Sequence, residues 1–269
     1  MVEEKYFVVD SHCHIYPEKI AEKAVGGTDG FYDTKSFGKG TVKDLISLGA
    51  AAGVDHFVVQ SVATTPAQVK SINEFIAREI NEKPDILTGL GTLHPDSSDI
   101  EGDIAHLREL GLKGIKLHPD IQDFKIDDYR NLKIYELCEK YSLPILMHTG
   151  DYRYDRSNPN RLYPILKIYE GLTIIGAHFG GWSLWEEASE KLSGLDNLYV
   201  DCSSSFNYIT PEVAKKIICA YGTDRVMFAT DYPMWDPQRE IDFFMNLGFS
   251  EEDNRKMLGE NARKLFGIK

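Results

Sequence analysis

The chain is predicted to fold as a (β/α)8 TIM barrel, one α/β domain over residues 1–269. Three observations carry this expectation. Short apolar runs alternate with amphipathic segments from one end to the other. The length, 269 residues, is close to the roughly 250 of such a barrel. Polar residues able to do chemistry gather at the C-terminal ends of the apolar runs, where barrels of this kind keep their active sites.

The runs are Tyr6–Ile15, His56–Ala63, Leu87–Leu93, Gly114–Leu117, Pro144–His148, Thr173–Ala177, Leu198–Cys202 and Val226–Ala229. They are short and lack strict apolar–polar alternation, as parallel strands buried on both faces do. Helix starts fall between them. Thr41-Val42-Lys43-Asp44 resembles a capping box, Thr210-Pro211 and Asp236-Pro237 read as an N-cap followed by proline at the first helical position, and Ser250-Glu251-Glu252-Asp253 opens the last segment. An open doubly wound sheet would want a glycine-rich phosphate loop after the first strand, and no GxGxxG stands there. The stretch Tyr16 to Gly40, rich in glycine, lysine and aromatics, reads as irregular. Its length and place suggest a lid over the catalytic end, with a plain surface insertion as the alternative.

Composition narrows the partners. The net charge of −12 comes without a basic patch, which argues against nucleic acid and anionic membranes. No stretch approaches the roughly 20 apolar residues of a membrane span. Met1 to Lys5 lack a basic segment and the apolar run that follows breaks at Asp10, so no secretory signal is expected. Cys13, Cys138, Cys202 and Cys219 form no CxxC, and reduced thiols in a cytoplasmic protein are the expectation.

The strand ends carry the functional signal. The first reads Asp10-Ser11-His12-Cys13-His14, the third His94-Pro95-Asp96, the fourth Lys116-Leu117-His118-Pro119-Asp120 and the fifth His148-Thr149-Gly150-Asp151. The sixth reads His178-Phe179-Gly180-Gly181, the seventh Asp201-Cys202-Ser203 and the eighth Thr230-Asp231-Tyr232-Pro233. Six of the eight histidines thus lie at strand ends; His56 and His106 do not. His12 and His14, two apart on a strand, share a face. Two neutral imidazoles there make a grip for a borderline metal such as zinc.

Asp10-Ser11-His12-Cys13-His14, the strand-five His148, Ala177-His178-Phe179-Gly180-Gly181 and Thr230-Asp231-Tyr232-Pro233, together with the tail Gly259-Glu260-Asn261-Ala262-Arg263-Lys264-Leu265-Phe266, resemble the amidohydrolase superfamily. The likeness is to its amidohydrolase-related branch, which contains the aminocarboxymuconate-semialdehyde decarboxylase-like proteins. The resemblance spans essentially the whole chain. It implies one divalent ion, Zn²⁺ by expectation, held by His12, His14, His148 and Asp231 with a water completing the shell. It also implies that His178 orients or deprotonates that water, and Asp231 could share the proton traffic.

In binuclear relatives a carboxylated lysine of the fourth strand bridges two metals, a role Lys116 could fill; otherwise Lys116 or His118 contacts the substrate. Arg153 is a candidate clamp for a substrate carboxylate. Of Trp182 and Trp185, one is expected to wall the pocket and the other to pack on the barrel. His94 is expected beside His118 near the mouth, Asp10 as support, Asp201 as core polar structure and Asn261 as a packing residue. The leading expectation is a metal-dependent hydrolase acting with an activated water on an amide, lactone or ester of a small molecule. The alternative is a non-oxidative decarboxylase of an aromatic or unsaturated acid, and the third reading is a non-catalytic metal-binding scaffold. Barrels of this family commonly pair, which makes a homodimer possible.

Overall fold

Every predicted run contributes a stave in the computed structural model, which describes residues 6–269; the expectation drawn from Met1 to Lys5 lies outside the described residues. The strands are β1 (Val9–His14), β2 (His56–Gln60), β3 (Leu87–Gly89), β4 (Gly91–Thr92), β5 (Ile115–Leu117), β6 (Ile145–Met147), β7 (Ile174–Gly176), β8 (Leu198–Asp201) and β9 (Val226–Met227). β3 and β4 are two halves of one predicted stave, parted at Leu90, so regular pairing runs β1-β2-β3 and β4 through β9, all parallel. Leu90 still bridges the gap, its N–H donating to the Val59 carbonyl at 2.9 Å. The barrel closes between its last and first staves, where Ser11 donates to the Phe228 carbonyl at 3.1 Å and Cys13 pairs with Tyr232.

Strand alternation sorts the core into two layers. Cys13, Val59, Ile115 and Leu117 face outward into the packing between barrel and helices. Val9, Val58, Leu90, Leu146, Ile175 and Met227 fill the interior, joined by Ala262 and Phe266 of the helix Asn261–Phe266. The predicted helix starts are the observed ones. Thr41, Thr210, Asp236 and Ser250 each cap a helix with the side chain accepting a backbone N–H from the first turn. Among the described residues no helix is long and apolar enough to cross a membrane.

The stretch from Tyr16 to Gly40 departs from expectation, because it holds a fifteen-residue helix, α1 (Glu18–Tyr32). Ala21 and Val25 are its buried residues. Ile20, Ala24, Gly27, Thr28 and Phe31, spaced to share another face, line the cavity below it. Glycine disguised the helix: Gly26, Gly27 and Gly30 each lower helix preference by ~1 kcal/mol relative to alanine. No packing demands them, since a Cβ at any of the three would meet nothing within 4 Å.

One buried carboxyl marks a pH-sensitive point of the fold. Glu240, in the helix Pro237–Met245, is 1% exposed. Its Oε1 accepts from Asn207 Nδ2 at 3.0 Å, and its Oε2 has no partner among the described residues. Burial pushes its pKa from 4.5 up to about 8. Between those values the folded chain keeps a proton that the unfolded chain has released, so this group makes stability fall as pH rises across the window. Glu240→Gln, which is neutral throughout, is therefore expected to be ~2 kcal/mol more stable than the parent at pH 8.5, at ~1.4 kcal/mol per pKa unit discounted for relaxation. The advantage should vanish near pH 4.5, and urea unfolding at the two pH values measures it.

Candidate active site

Beyond the apolar interior, the strand ends turn polar side chains into one mouth. On β1 the register shifts between Asp10 and Cys13. The imidazoles of His12 and His14 meet there, Nε2 to Nε2 at 3.1 Å. Asp231 Oδ1 lies 3.3 Å from the first and 3.5 Å from the second. Donors about 2.1 Å from a tetrahedral ion stand roughly 3.4 Å apart, so these three atoms fit one divalent cation. Their supports suit ligands as well. Asp201 Oδ2 sits 3.0 Å from His12 Nδ1, which places the proton on Nδ1 and leaves the Nε2 lone pair free. Ser204 donates to Asp231 Oδ2 at 2.6 Å and receives the Trp235 indole N–H at 2.8 Å.

Lys116 is the next neighbour of this group. It alternates with Ile115 and Leu117 on β5, so it points inward where they point out, and it is 1% exposed. Its Nζ reaches His12 Nε2 at 3.0 Å. Burial holds the Lys116 amine below its ordinary value and pushes the Asp231 carboxyl up, while the Lys116 charge draws Asp231 back down. Burial also lowers His12, His14, His118 and His148, and brings His178 to about 4, so these rings are neutral at neutral pH, the state a metal ligand needs.

A second string of rings leads from the barrel wall to α1. His178 Nδ1–H donates to the Ser203 carbonyl at 3.0 Å, so its Nε2 accepts from His148 Nδ1–H at 3.0 Å. His148 Nε2 then keeps its lone pair, 3.5 Å from the Tyr32 hydroxyl and 3.5 Å from Asp120 Oδ2. His118 Nδ1 accepts the Ile121 N–H, which leaves Nε2–H to donate to the Tyr32 hydroxyl at 2.8 Å. His118, Asp120 and His148 come close enough to hold an ion. However, the His118 and His148 rings stack at 3.9 Å and 7°. An imidazole lone pair lies in its ring plane, so two parallel rings cannot both aim at one ion. These three residues therefore do not make an ion site of their own, and the Nε2 lone pair of His148 remains available.

The backbone is strained at the same place. His178, Phe179 and Asp231 have φ of 59°, 55° and 59°, a left-handed region that costs a residue with a Cβ ~1 kcal/mol or more. Phe179 N–H donates to the Asp201 carbonyl at 2.6 Å and His178 N–H to Asp201 Oδ1 at 3.1 Å, so one buried carboxylate residue fixes both this bend and the His12 ring. The loops after β6 and β7 press together nearby. At Gly150, φ 80°, a Cβ would sit 2.4 Å from the Gly181 carbonyl carbon, which reserves the position for glycine.

His12, His14, Lys116, His118, His148, His178, Trp182 and Asp231 all line one cavity of about 840 Å³ roofed by α1. Arg153 is placed elsewhere. Its guanidinium is engaged by Asp151 at 2.7 Å and by the Phe31 carbonyl at 2.8 Å, among the rings of Phe31, Tyr32, Tyr154 and Trp182, so it pins the end of α1. Trp185 packs against Tyr208 and donates to Ser205, as the companion of the wall residue Trp182. His94 lies outside the cavity wall and accepts the Asp96 N–H. Asp10 accepts from Thr230 across the barrel seam, and Asn261 donates to the Thr223 and Val226 carbonyls. Sequence reasoning missed Tyr32, Ser204 and Trp235 and underrated Asp201 and Ser203. For the last two the strand-end position was a usable signal; for Tyr32 there was none.

The family model described as Amidohydrolase matches residues 9–268. Over 119 residues the chain is 30% identical to a gamma-resorcylate decarboxylase of a Polaromonas species, covering 39% of this chain and 36% of that protein. Over 241 residues it is 25% identical to the 2-amino-3-carboxymuconate-6-semialdehyde decarboxylase of Dictyostelium discoideum, covering 73% of this chain and 66% of that protein. The chain thus spans about a third and just under two thirds of the length of these two curated relatives. A solved dihydroxybenzoic acid decarboxylase from a Polaromonas species, with bound manganese and the inhibitor 2-nitroresorcinol, has the same fold: TM-score 0.73 and 18% identity, covering 98% of this chain and 97% of that one.

Proposed function

Because the chain belongs to the amidohydrolase family, we propose that it is a metal-dependent, non-oxidative decarboxylase of an aromatic or unsaturated carboxylic acid. The observation that carries this reading is Lys116. A buried amine 3.0 Å from His12 Nε2, on the wall of the cavity, gives a carboxylated substrate a cationic partner beside the metal donors. Hydrolysis, the leading expectation from sequence, has no such support, and both curated relatives are named as decarboxylases.

In this proposal His12, His14, His148 and Asp231 hold one divalent ion, Zn²⁺ or another of similar charge. When bound, the ion would supply positive charge against the substrate's oxygens. Lys116 and His118 meet the acid's polar groups, and Trp182 walls its ring. The carbon–carbon bond breaks with its electron pair left on the ring or alkene carbon. That carbon takes a proton, and carbon dioxide leaves. Asp231 and His178 both line the cavity in which that proton is delivered. Helix α1, latched by Arg153 and Tyr32, excludes water. Free thiols throughout the described chain fit a cytoplasmic setting.

The test is metal analysis of purified protein followed by a screen of hydroxybenzoates, unsaturated acids, lactones and amides. About one equivalent of a divalent ion is expected, from a single set of ligands, together with carbon dioxide release from at least one acid. Lactone or amide cleavage without any carbon dioxide release would restore the hydrolase reading.

A further inference from the structure

The cavity is larger than a single-ring acid requires. At about 840 Å³ it lies near the top of the roughly 300–1,000 Å³ range of small-molecule sites. Its roof explains the extra space. The cavity follows one face of α1 from Phe31 back to Ile20, and the facing wall is a face of the helix Val69–Glu82 that includes Ile72 and Phe75. Thirteen residues separate Lys19 from Tyr32, roughly 20 Å along a helix; nine separate Lys23 from Tyr32, roughly 14 Å.

The charges along this passage run against those of the chain. The whole protein carries −12, yet the cavity wall contains Lys19, Lys23, Arg78 and Lys116 and a single carboxylate, Asp231. Lys116 lies deep, beside His12. Lys19 and Lys23 stand one helical turn apart at the start of α1, and Arg78 shares that end, since its neighbours Phe75 and Glu79 line a second pocket together with Pro17 and Glu18. Glu18 and Glu79 stay outside the cavity wall. Lys19, Lys23 and Arg78 form no ion pair among the described residues.

Resting on the decarboxylase reading for its inner end, we propose that the substrate is an elongated acid with two anionic ends. The reacting carboxylate lies by Lys116. An apolar chain runs between α1 and the helix Val69–Glu82, against Ile20, Ala24, Ile72 and Phe75. A second anionic group ends at Lys19, Lys23 and Arg78. The two ends are matched by the two separated clusters of positive charge, and the stretch between them is matched by the apolar faces of two helices.

The experiment measures binding without turnover, by quenching of the tryptophans that wall the cavity, Trp182 and Trp235, in metal-loaded protein. The probes are straight-chain monoacids and diacids of increasing length, from hexanoate and hexanedioate upward. Diacids are expected to bind roughly tenfold more tightly than monoacids of equal length, the combined worth of a few exposed ion pairs. The advantage should appear only once the chain reaches about ten carbons, a length comparable to the roughly 14 Å of helix between Tyr32 and Lys23. In the triple variant K19E/K23E/R78E it should disappear. As a second check, Ala24→Trp should remove the gain with chain length by filling the passage. Equal binding of diacids and monoacids at every length, no binding of either, or an advantage that survives the triple variant would overturn the proposal. Diacid preference without any carbon dioxide release in the substrate screen sinks the reaction and leaves the passage. Turnover of a single-ring acid without diacid preference sinks the passage and leaves the reaction.

Discussion

Exchanging His178 for alanine is expected to leave the protein folded and, at saturating metal, fully loaded, while slowing turnover of the acid found in the screen by roughly 10²–10⁴-fold, the usual worth of a positioned acid–base group. The expectation follows from position. His178 lines the cavity, yet its Nδ1 is committed to the Ser203 carbonyl and its Nε2 to His148. It therefore holds a proton path and the His148 tautomer without belonging to the His12, His14 and Asp231 donor group. Loss of the His148 hydrogen bond should weaken metal affinity by roughly 10–100-fold, as removal of a ligand's supporting partner does, which is why metal must be in excess. An alanine variant that lost its metal as completely as a ligand variant would make His178 a ligand. Full activity would make it a structural histidine.

The second large effect is expected from His12→Ala. His12 Nε2 is the hub of the donor group, within 3.0–3.3 Å of His14, Asp231 and Lys116. Removing it should leave the dialysed protein with less than about a tenth of an equivalent of metal, since one of four protein contacts is gone, and with no measurable turnover. A reading free of catalysis is available. Added metal should stabilise the parent by ~2.7 kcal/mol at a hundred times its Kd and leave His12→Ala unmoved. Metal retention by the variant would overturn the ligand assignment. Two equivalents in the parent, with a carboxyl group added to the Lys116 amine, would instead establish the bridging-lysine arrangement.

The barrel was legible because its strands obey simple rules. Runs such as Ile145–Met147 and Ile174–Gly176 are apolar, short and bounded, and each became a stave. The candidate site was legible because six of the eight histidines fall at strand ends, which a barrel gathers at one mouth. What stayed hidden depends on contacts distant in the chain. Tyr32 meets His118 across 86 positions, and Asp201 meets His12 across 189. Helix α1 was hidden for a local reason, three glycines in fifteen residues. Arg153 was legible as a cation near the mouth, but its direction was set by Asp151 two residues away and by the end of a helix the sequence had not revealed.

The left-handed backbone at His178 and Asp231 sets the interests of the site against those of the fold. At both positions glycine would sit more comfortably than the residue present. A library sorted for thermal tolerance alone should therefore enrich glycine or asparagine there, and its most heat-resistant members should be inert. Histidine and aspartate would survive such sorting only where turnover is also demanded. These two positions are thus where an engineer hardening this barrel must accept the native residue and look for gains elsewhere.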